Sequence, residues 1–126
     1  MSVVLDASAL LAFLHEEPGG ERVSPVLEGA HVSAVNWSEV LQKSLQRDVD
    51  IDGMQQEFTE VGVIFEPFTP EQAETAVRLF TGIRNHGLSL ADRACLALAV
   101  EKGLPVLTAD QTWGQLKLDV AIEVVR

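Results

Sequence analysis

The fold class is indicated by a stretch near the start of the chain, residues 3–14, with the sequence VVLDASALLAFL. Its first three residues, Val3-Val4-Leu5, form a short apolar run that predicts a buried strand. Apolar residues from Ala9 to Leu14 then recur at helical spacing, and the Pro18-Gly19-Gly20 turn is expected to end that helix. A strand that passes directly into a helix is the repeating unit of α/β proteins, and Asp6 lies at the junction.

The same alternation continues along the chain. Further strands are predicted at 31–35, 63–65, 105–108 and 122–125. Further helices are predicted at 21–28, from Asn36 onward, around 54–61, from Pro70 to about Gly82, and from Ser89 to Glu101, with Gly103 closing the last. Short, apolar strands that alternate with helices predict a central, mainly parallel sheet of about five strands between helices.

Length and composition predict one domain over residues 1–126. The chain is 47% hydrophobic and 22% charged, which is ordinary globular usage and argues against disorder. The single Cys95 lies in an apolar run, as a core cysteine of a cytoplasmic protein would. No stretch is long and apolar enough for a membrane span, and the first six residues lack the basic start of a signal peptide.

The net charge of −10 limits the partners of the chain. A surface this negative repels phosphate backbones, so sequence-specific DNA binding by this chain alone is disfavoured. An acidic protein can still process nucleic acid when a bound cation or a local group of basic residues reverses the field.

Four acids follow or flank the predicted strands: Asp6, Glu39, Asp92 and Asp110. Each has a structural explanation, because Asp6 and Asp110 are placed as helix N-caps. Ser89 with Asp92, and Asn36 with Glu39, match the spacing of a capping box. The functional explanation rests on convergence. Three of the acids would project from the carboxyl ends of neighbouring parallel strands, where ligands bind in open α/β sheets, and Asp92 would project from a helix that packs beside them.

Ionised carboxylates gathered in one cleft repel one another, and helix N-termini offset only about 0.3–1 kcal/mol for each. A divalent cation is the simplest compensation, the alternative being a strongly raised pKa. Oxygen ligands without a nearby His or Cys favour Mg²⁺ or Mn²⁺ over zinc, and such ions also take phosphate oxygens as ligands. The four acids therefore indicate phosphodiester hydrolysis.

Four motifs together resemble those of PIN-domain ribonucleases, specifically VapC-type toxins. They are VLDASAL (4–10), NWSEV (36–40), LSLADRACLALA (88–99) and LTADQTW (107–113). They occur in the family's order and spacing, and the resemblance runs from Val3 to the last predicted strand. It implies a three-layer α/β/α fold and a metal-dependent endoribonuclease that acts as the toxin of a toxin–antitoxin pair.

The resemblance also implies a role for individual residues. Asp6 and Asp92 match the principal ligands of Mg²⁺ or Mn²⁺, and Glu39 and Asp110 match the acids that complete the site. Ser8 and Thr108 match small hydroxyl positions beside the acids, for which capping and turn formation are an equally good explanation. Arg93, next to Asp92, is a candidate clamp for the RNA substrate, and a solvent-facing or ion-paired arginine is the alternative.

The implied partners are RNA, a second copy of the chain in a homodimer, and a small antitoxin. An acidic cleft favours a basic C-terminal segment of that antitoxin, whose remainder would lie in a groove between apolar helices. Two other functions stay open: a PIN-domain nuclease of RNA processing outside toxin–antitoxin systems, and a catalytically silent PIN-fold binding module.

Several side chains near the acidic motifs have structural explanations that outweigh functional ones. Lys43 and Arg47 follow Glu39 at four-residue spacing, which favours helical i,i+4 ion pairing over a basic rim for RNA. Trp37 and Trp113 flank two of the acids, and packing in the core is expected of both rather than base stacking.

Overall fold

The computed structural model describes residues 2–79 and 87–126. Its five strands form one sheet in the order β3-β2-β1-β4-β5, and every pairing is parallel. The strands are β1 (Val4–Leu5), β2 (His31–Ser33), β3 (Ile64–Glu66), β4 (Val106–Thr108) and β5 (Ile122–Val124). The predicted parallel five-stranded sheet is therefore confirmed, with β1 at its centre.

Within the described residues, six helices connect these strands. They are α1 (Ala7–Leu14), α2 (Gly20–Val23), α3 (Ala34–Gln46), α4 (Met54–Glu60), α5 (Pro70–Arg78) and α6 (Leu90–Lys102). The predicted end of α5 near Gly82 lies outside the described residues. Helix α6 begins and ends as predicted, with Ser89 as its N-cap and Gly103 in the left-handed conformation after its last turn.

Two sequence-based boundaries are wrong. The helix predicted over 21–28 ends at Val23 and gives way to a 3₁₀ turn, because Pro25 cannot continue the α-helical hydrogen bonding. The strand predicted over 31–35 ends at Ser33, whose hydroxyl accepts a hydrogen bond from Val35 N and caps α3. Asn36 and Glu39 consequently lie inside α3 rather than in a capping box at its start.

Alternation of side chains along the strands produces a core on each face of the sheet. Leu5 and Leu107 belong to the cluster formed with α1, α2, α3 and α4, whereas Val4 and Val106 belong to the cluster formed with α6. Both faces are thereby covered by helices, which gives the expected α/β/α layering. Trp37 and Trp113 are buried in these cores, as predicted.

The core of the second cluster contains the buried Cys95, together with apolar residues of α6. Helix α6 runs from a half-exposed first turn into a nearly continuous buried stretch, Ala94–Ala99. Among residues 2–79 and 87–126, no helix has the length and apolar character needed to cross a membrane.

Candidate active site

Asp6 lies at the junction of β1 and α1, at the centre of the sheet. Its carboxylate caps α1 by accepting a hydrogen bond from Ala9 N at 2.8 Å. The residue is only 3% exposed, because helices cover both faces of the central strand. An N-cap with this little solvent access has to satisfy its remaining oxygen lone pairs within the protein.

Two hydroxyl groups supply those hydrogen bonds. Thr108 Oγ1 donates to Asp6 Oδ2 at 2.5 Å, and Ser8 Oγ lies 2.8 and 3.0 Å from the two carboxylate oxygens. Each hydroxyl in turn accepts a backbone N–H: Asp110 N donates to Thr108 at 3.0 Å, and Ala109 N donates to Ser8 at 2.9 Å. These backbone donors leave both hydroxyl protons free to point at Asp6, so the network is oriented toward an ionised carboxylate.

Burial and the hydrogen bonds act on Asp6 in opposite directions. The pKa of Asp6 is raised from 3.8 to about 6, mainly by desolvation and to a smaller extent by the negative charge of Asp92. The hydrogen bonds from Thr108, Ala9 and Ser8 lower that pKa but do not cancel the effect of burial. The sheet therefore holds a carboxylate at its centre at a cost in free energy.

Asp92 lies in the first turn of α6 and has the structural role that its sequence predicts. Its Oδ2 accepts a hydrogen bond from Ser89 N at 2.9 Å, and Ser89 Oγ accepts one from Asp92 N at 3.1 Å, which completes a capping box. The capping role does not account for its charge environment. Burial raises the pKa of Asp92, and the negative charges of Glu39 and Asp110 raise it further.

Glu39 lies in the second turn of α3, which the side chain of Asn36 ties to α6. Asn36 is 1% exposed, and its Nδ2 donates to the carbonyl oxygen of Ala91 at 3.0 Å. This bond fixes the helix that bears Glu39 against the residue preceding Asp92. Sequence reasoning treated Asn36 as a helix start and missed this role, although a polar residue between Val35 and Trp37 in an apolar segment is a signal of burial.

Asp110 follows β4 and caps the 3₁₀ turn Gln111–Gln115, as expected. Its Oδ1 accepts hydrogen bonds from Thr112 N at 3.0 Å and from Thr112 Oγ1 at 2.7 Å. The residue is half-buried, unlike Asp6 on the adjacent strand. Thr108 connects the two sites, since its hydroxyl bonds both the Asp6 carboxylate and the Asp110 amide.

Asp92 is within electrostatic range of the other three predicted acids. Its charge raises the pKa of Asp6, and the charges of Glu39 and Asp110 raise the pKa of Asp92 itself. The thiol of Cys95, one turn along α6 from Asp92, has its pKa raised well above its usual value by burial and by the charges of Asp6 and Asp92. Acids from four separate segments thus share one electrostatic environment.

The donor chemistry fits a hard divalent cation, with one restriction on geometry. No three His, Cys, Asp or Glu side chains within residues 2–79 and 87–126 are close enough together to hold a metal ion. Mg²⁺ needs fewer protein ligands than that, because it keeps several waters and is commonly bound by one or two carboxylates plus substrate phosphates. Asp6 and Asp92 meet this requirement in ligand type, and their mutual repulsion favours a cation between them.

The remaining candidates lie around these acids. Arg93 is partly exposed and its Nε lies 3.5 Å from the carbonyl oxygen of Ser89, at the start of α6. Lys43 Nζ lies 3.2 Å from Glu39 Oε2, so the predicted i,i+4 ion pair is present. Arg47 does not form a helical pair of that kind. It bonds Glu17, thirty residues away, because α1 and α3 lie side by side.

Comparison of the fold with solved structures finds full-length relatives of low sequence identity. A toxin–antitoxin complex from Klebsiella pneumoniae has 15% identity and a TM-score of 0.75, covering 99% of this chain and 98% of the other. VapC20 of Mycobacterium tuberculosis, described as a sarcin–ricin loop cleaving toxin, has 15% identity and a TM-score of 0.71, covering 95% and 99%. DNA-bound VapBC from Salmonella typhimurium has 13% identity and a TM-score of 0.72, covering 100% and 99%.

At these identities the similarity establishes the fold. No curated protein sequence matches the chain significantly. The family model of the PIN domain matches residues 3–118, a segment that contains all four acids and both hydroxyl residues described above. The chain therefore belongs to the PIN domain family.

Proposed function

We propose that this protein is a metal-dependent endoribonuclease that hydrolyses RNA phosphodiester bonds, with Mg²⁺ or Mn²⁺ as its cofactor. The proposal is supported chiefly by one observation. Asp92 lies within electrostatic range of Asp6, Glu39 and Asp110, so the carboxylates of four segments raise one another's pKa or oppose one another's charge in one part of the molecule. Asp6 and Asp110 follow β1 and β4 at the carboxyl edge of the parallel sheet, where substrates of α/β proteins bind.

The four acids and the two hydroxyl residues have separate roles in this proposal. Asp6 and Asp92 would hold the ion, with Glu39 and Asp110 completing its surroundings. When bound, Mg²⁺ or Mn²⁺ lowers the pKa of a water ligand and neutralises charge on the scissile phosphate. Ser8 and Thr108 orient the carboxylate of Asp6 and stabilise its ionised form through the two hydroxyl hydrogen bonds.

Two further side chains act on the substrate in this proposal. Glu39 is partly exposed and pairs with Lys43 through Oε2, so its other carboxylate oxygen is the one that would accept the proton of an attacking water. Arg93, one residue after Asp92, offers a guanidinium for a phosphate oxygen of the RNA.

The direct test is cleavage of RNA in Mg²⁺, in Mn²⁺ and in EDTA by the wild-type protein and by Asp6→Asn. We expect the wild-type protein to cleave RNA only when Mg²⁺ or Mn²⁺ is present, and Asp6→Asn to lose this cleavage. Equal cleavage by both proteins, or activity undiminished by EDTA, would show that the acids do not act through a cation.

We further propose that the nuclease is the toxin of a type II, VapBC-type toxin–antitoxin pair and acts in the cytoplasm. The proposal is supported by the fold similarity to toxin–antitoxin complexes over nearly whole chains. An apolar cavity of about 360 Å³ between α1 and α4, lined by Phe13, Leu14, Met54 and Phe58 among others, offers a place for a helix of a small antitoxin. A basic C-terminal segment of that partner would then reach the acids.

The toxin proposal has its own test. Expression of the wild-type chain in a bacterial host should arrest growth, Asp6→Asn should not, and co-expression of the proposed antitoxin should restore growth. RNA cleavage without any growth arrest would instead favour an RNA-processing nuclease.

We also propose that the protein forms a homodimer, since the apolar side chains of Leu45 and Val77 are more than half exposed. Analytical ultracentrifugation measures the oligomeric state directly.

A further inference from the structure

A cavity of about 380 Å³ lies between α1 and α3, next to the acids. Ser8, Leu11 and His15 line one side and follow α1 at helical spacing, and Lys43, Gln46 and Arg47 line the other side from α3. Ser8 and Lys43 connect this cavity to the candidate active site, because Ser8 bonds Asp6 and Lys43 pairs with Glu39. From Ser8 to His15 the cavity extends about 10 Å along the helix.

The charge of this cavity is opposite to that of the molecule. Lys43, Arg47 and Arg126 line it, and these are three of the nine Lys and Arg residues in a chain of net charge −10. Glu17 is the acid among the lining residues, so the lining side chains carry a surplus of positive charge. Concentrating positive charge beside an acidic cleft favours an anion that extends out of that cleft.

Both guanidinium groups in the cavity share a single carboxylate. Glu17 Oε2 lies 3.3 Å from Arg47 Nη1, and Glu17 Oε1 lies 3.6 Å from Arg126 Nη2. The three side chains are between 37% and 52% exposed, so water weakens both ion pairs. Each arginine pairs with Glu17 through one terminal nitrogen, and Arg126 Nε donates to the carbonyl oxygen of Pro18. Within the described residues, this leaves the second terminal nitrogen of each guanidinium for another anion.

We propose that this cavity binds a phosphate of the RNA strand next to the phosphodiester bond that is cleaved. The proposal rests on the proposed function, since the acids define where the scissile phosphate lies. The RNA backbone would pass from the carboxylates, over Ser8, into the space between Lys43, Arg47 and Arg126. The site recognises the backbone charge and not the base, so it contributes affinity and register without sequence preference.

The test measures RNA binding separately from RNA cleavage. All binding variants are made in an Asp6→Asn background, in Mg²⁺, and a fluorescein-labelled single-stranded RNA oligonucleotide of mixed sequence is titrated by anisotropy at several salt concentrations. The cavity variant is Arg47→Gln with Arg126→Gln. The matched control is Arg22→Gln with Lys102→Gln, which removes the same charge from two ion-paired cations elsewhere on the surface.

The cavity variant is expected to bind RNA at least about fivefold more weakly than the control. Its salt slope should fall by about 0.7, because one phosphate is no longer neutralised by the protein. Glu17→Gln is expected to strengthen binding, because it frees both guanidinium groups. If the ion pairs only stabilise the end of α1, Arg47→Gln, Arg126→Gln and Glu17→Gln would each lower Tm, and RNA affinity would stay at the control value. That result overturns the proposal.

The outcome also separates this inference from the proposed function. With Asp6 intact, the cavity variant should raise KM more than it lowers kcat. If no ion supports cleavage but the affinity difference persists, the nuclease proposal fails and the phosphate site stands. If the wild-type chain cleaves RNA and the cavity variant matches the control in binding, the site fails alone. A cavity variant that loses binding of a labelled polyglutamate peptide but keeps the RNA affinity of the control would overturn the assignment to RNA.

Discussion

Two aspartates of this protein have the same local role but different environments. Asp6 follows β1 and Asp110 follows the adjacent β4, and each caps the helical turn that comes next. Asp6 is buried at the centre of the sheet and accepts hydrogen bonds from one backbone N–H and two hydroxyl groups. Asp110 is half-buried, and within the described residues its carboxylate accepts hydrogen bonds from Thr112 alone.

Capping by itself does not require the environment of Asp6. An N-cap needs one side-chain oxygen and functions without full burial, as Asp110 shows. Burying the carboxylate raises the pKa of Asp6 to about 6, which is unfavourable for the folded protein at neutral pH. A destabilised, well-ordered charge of this kind is typical of a functional residue.

The largest effect is expected on RNA cleavage, when each of the two aspartates is changed to asparagine in a separate variant. Asparagine caps as well as aspartate, so the fold is kept in both variants while the negative charge is removed. Asp6→Asn should lower kcat/KM by about a thousandfold, because it weakens binding of the ion. Asp110→Asn should lower it by about tenfold.

Equal losses for the two variants would show that burial does not distinguish a principal ligand from a supporting acid. Asp50→Asn is the control for both, because Asp50 also bonds a backbone N–H, of Asp52, on an exposed surface.

The second largest effect concerns stability. The pKa of Asp6 is raised in the folded state, so its protonated form favours folding. The stability that the protonated form contributes is fully present below about pH 3.8 and is lost as the pH rises through about 6. At neutral pH and without metal, the ionised group costs about 3 kcal/mol. Asp6→Asn should therefore raise the free energy of unfolding by up to that amount.

Urea unfolding in EDTA at pH 4 and pH 7.5 measures this difference. The gain from Asp6→Asn should appear at the higher pH and shrink at the lower one, and Asp50→Asn should change little at either. A variant less stable than the wild type at pH 7.5 would mean that the hydrogen bonds from Ser8 and Thr108 outweigh the cost of burying the charge.

A smaller effect is expected from the hydroxyl groups that bond each aspartate. Thr108→Val removes the hydrogen bond that lowers the pKa of Asp6, so that pKa should rise further and the acid limb of the pH–rate profile should move to higher pH. Cleavage should fall by about 10–100-fold. Thr112→Val, the matched change beside Asp110, should cost less because water can replace the missing donor.

The sequence predicts the secondary structure and the helix caps of this protein, but not the burial of its aspartates. The strand and helix alternation, the capping box of Ser89 and Asp92, and the caps at Asp6 and Asp110 all follow from local patterns, and the structure confirms them. Local patterns do not report burial, which separates Asp6 from Asp110. That difference comes from strand order, because β1 is central and its carboxyl end meets residues a hundred positions away.

Long-range contacts also explain what sequence reasoning missed. The bond from Asn36 to Ala91 joins residues 55 positions apart, and the contact of Arg47 with Glu17 joins residues 30 apart. Helical spacing correctly predicts the ion pair of Lys43 with Glu39, but it carries no information on the position of Arg47 or Arg126 beside α1. The positive cavity therefore becomes visible only when α1, α3 and the last residue are assembled.

The smallest expected effect tests whether Asp110 is mainly a cap. Asp110→Ala removes the acceptor for Thr112 N and should lower the free energy of unfolding by about 1 kcal/mol or less, since the turn that it caps is short and exposed. Asp110→Asn should restore that stability without restoring cleavage, because an amide oxygen accepts the same hydrogen bond but carries no charge. Thermal unfolding and RNA cleavage measured on both variants separate the two roles. Cleavage that recovers together with stability in Asp110→Asn would reduce Asp110 to a structural residue and leave Asp6, Asp92 and Glu39 as the acids on which the reaction depends.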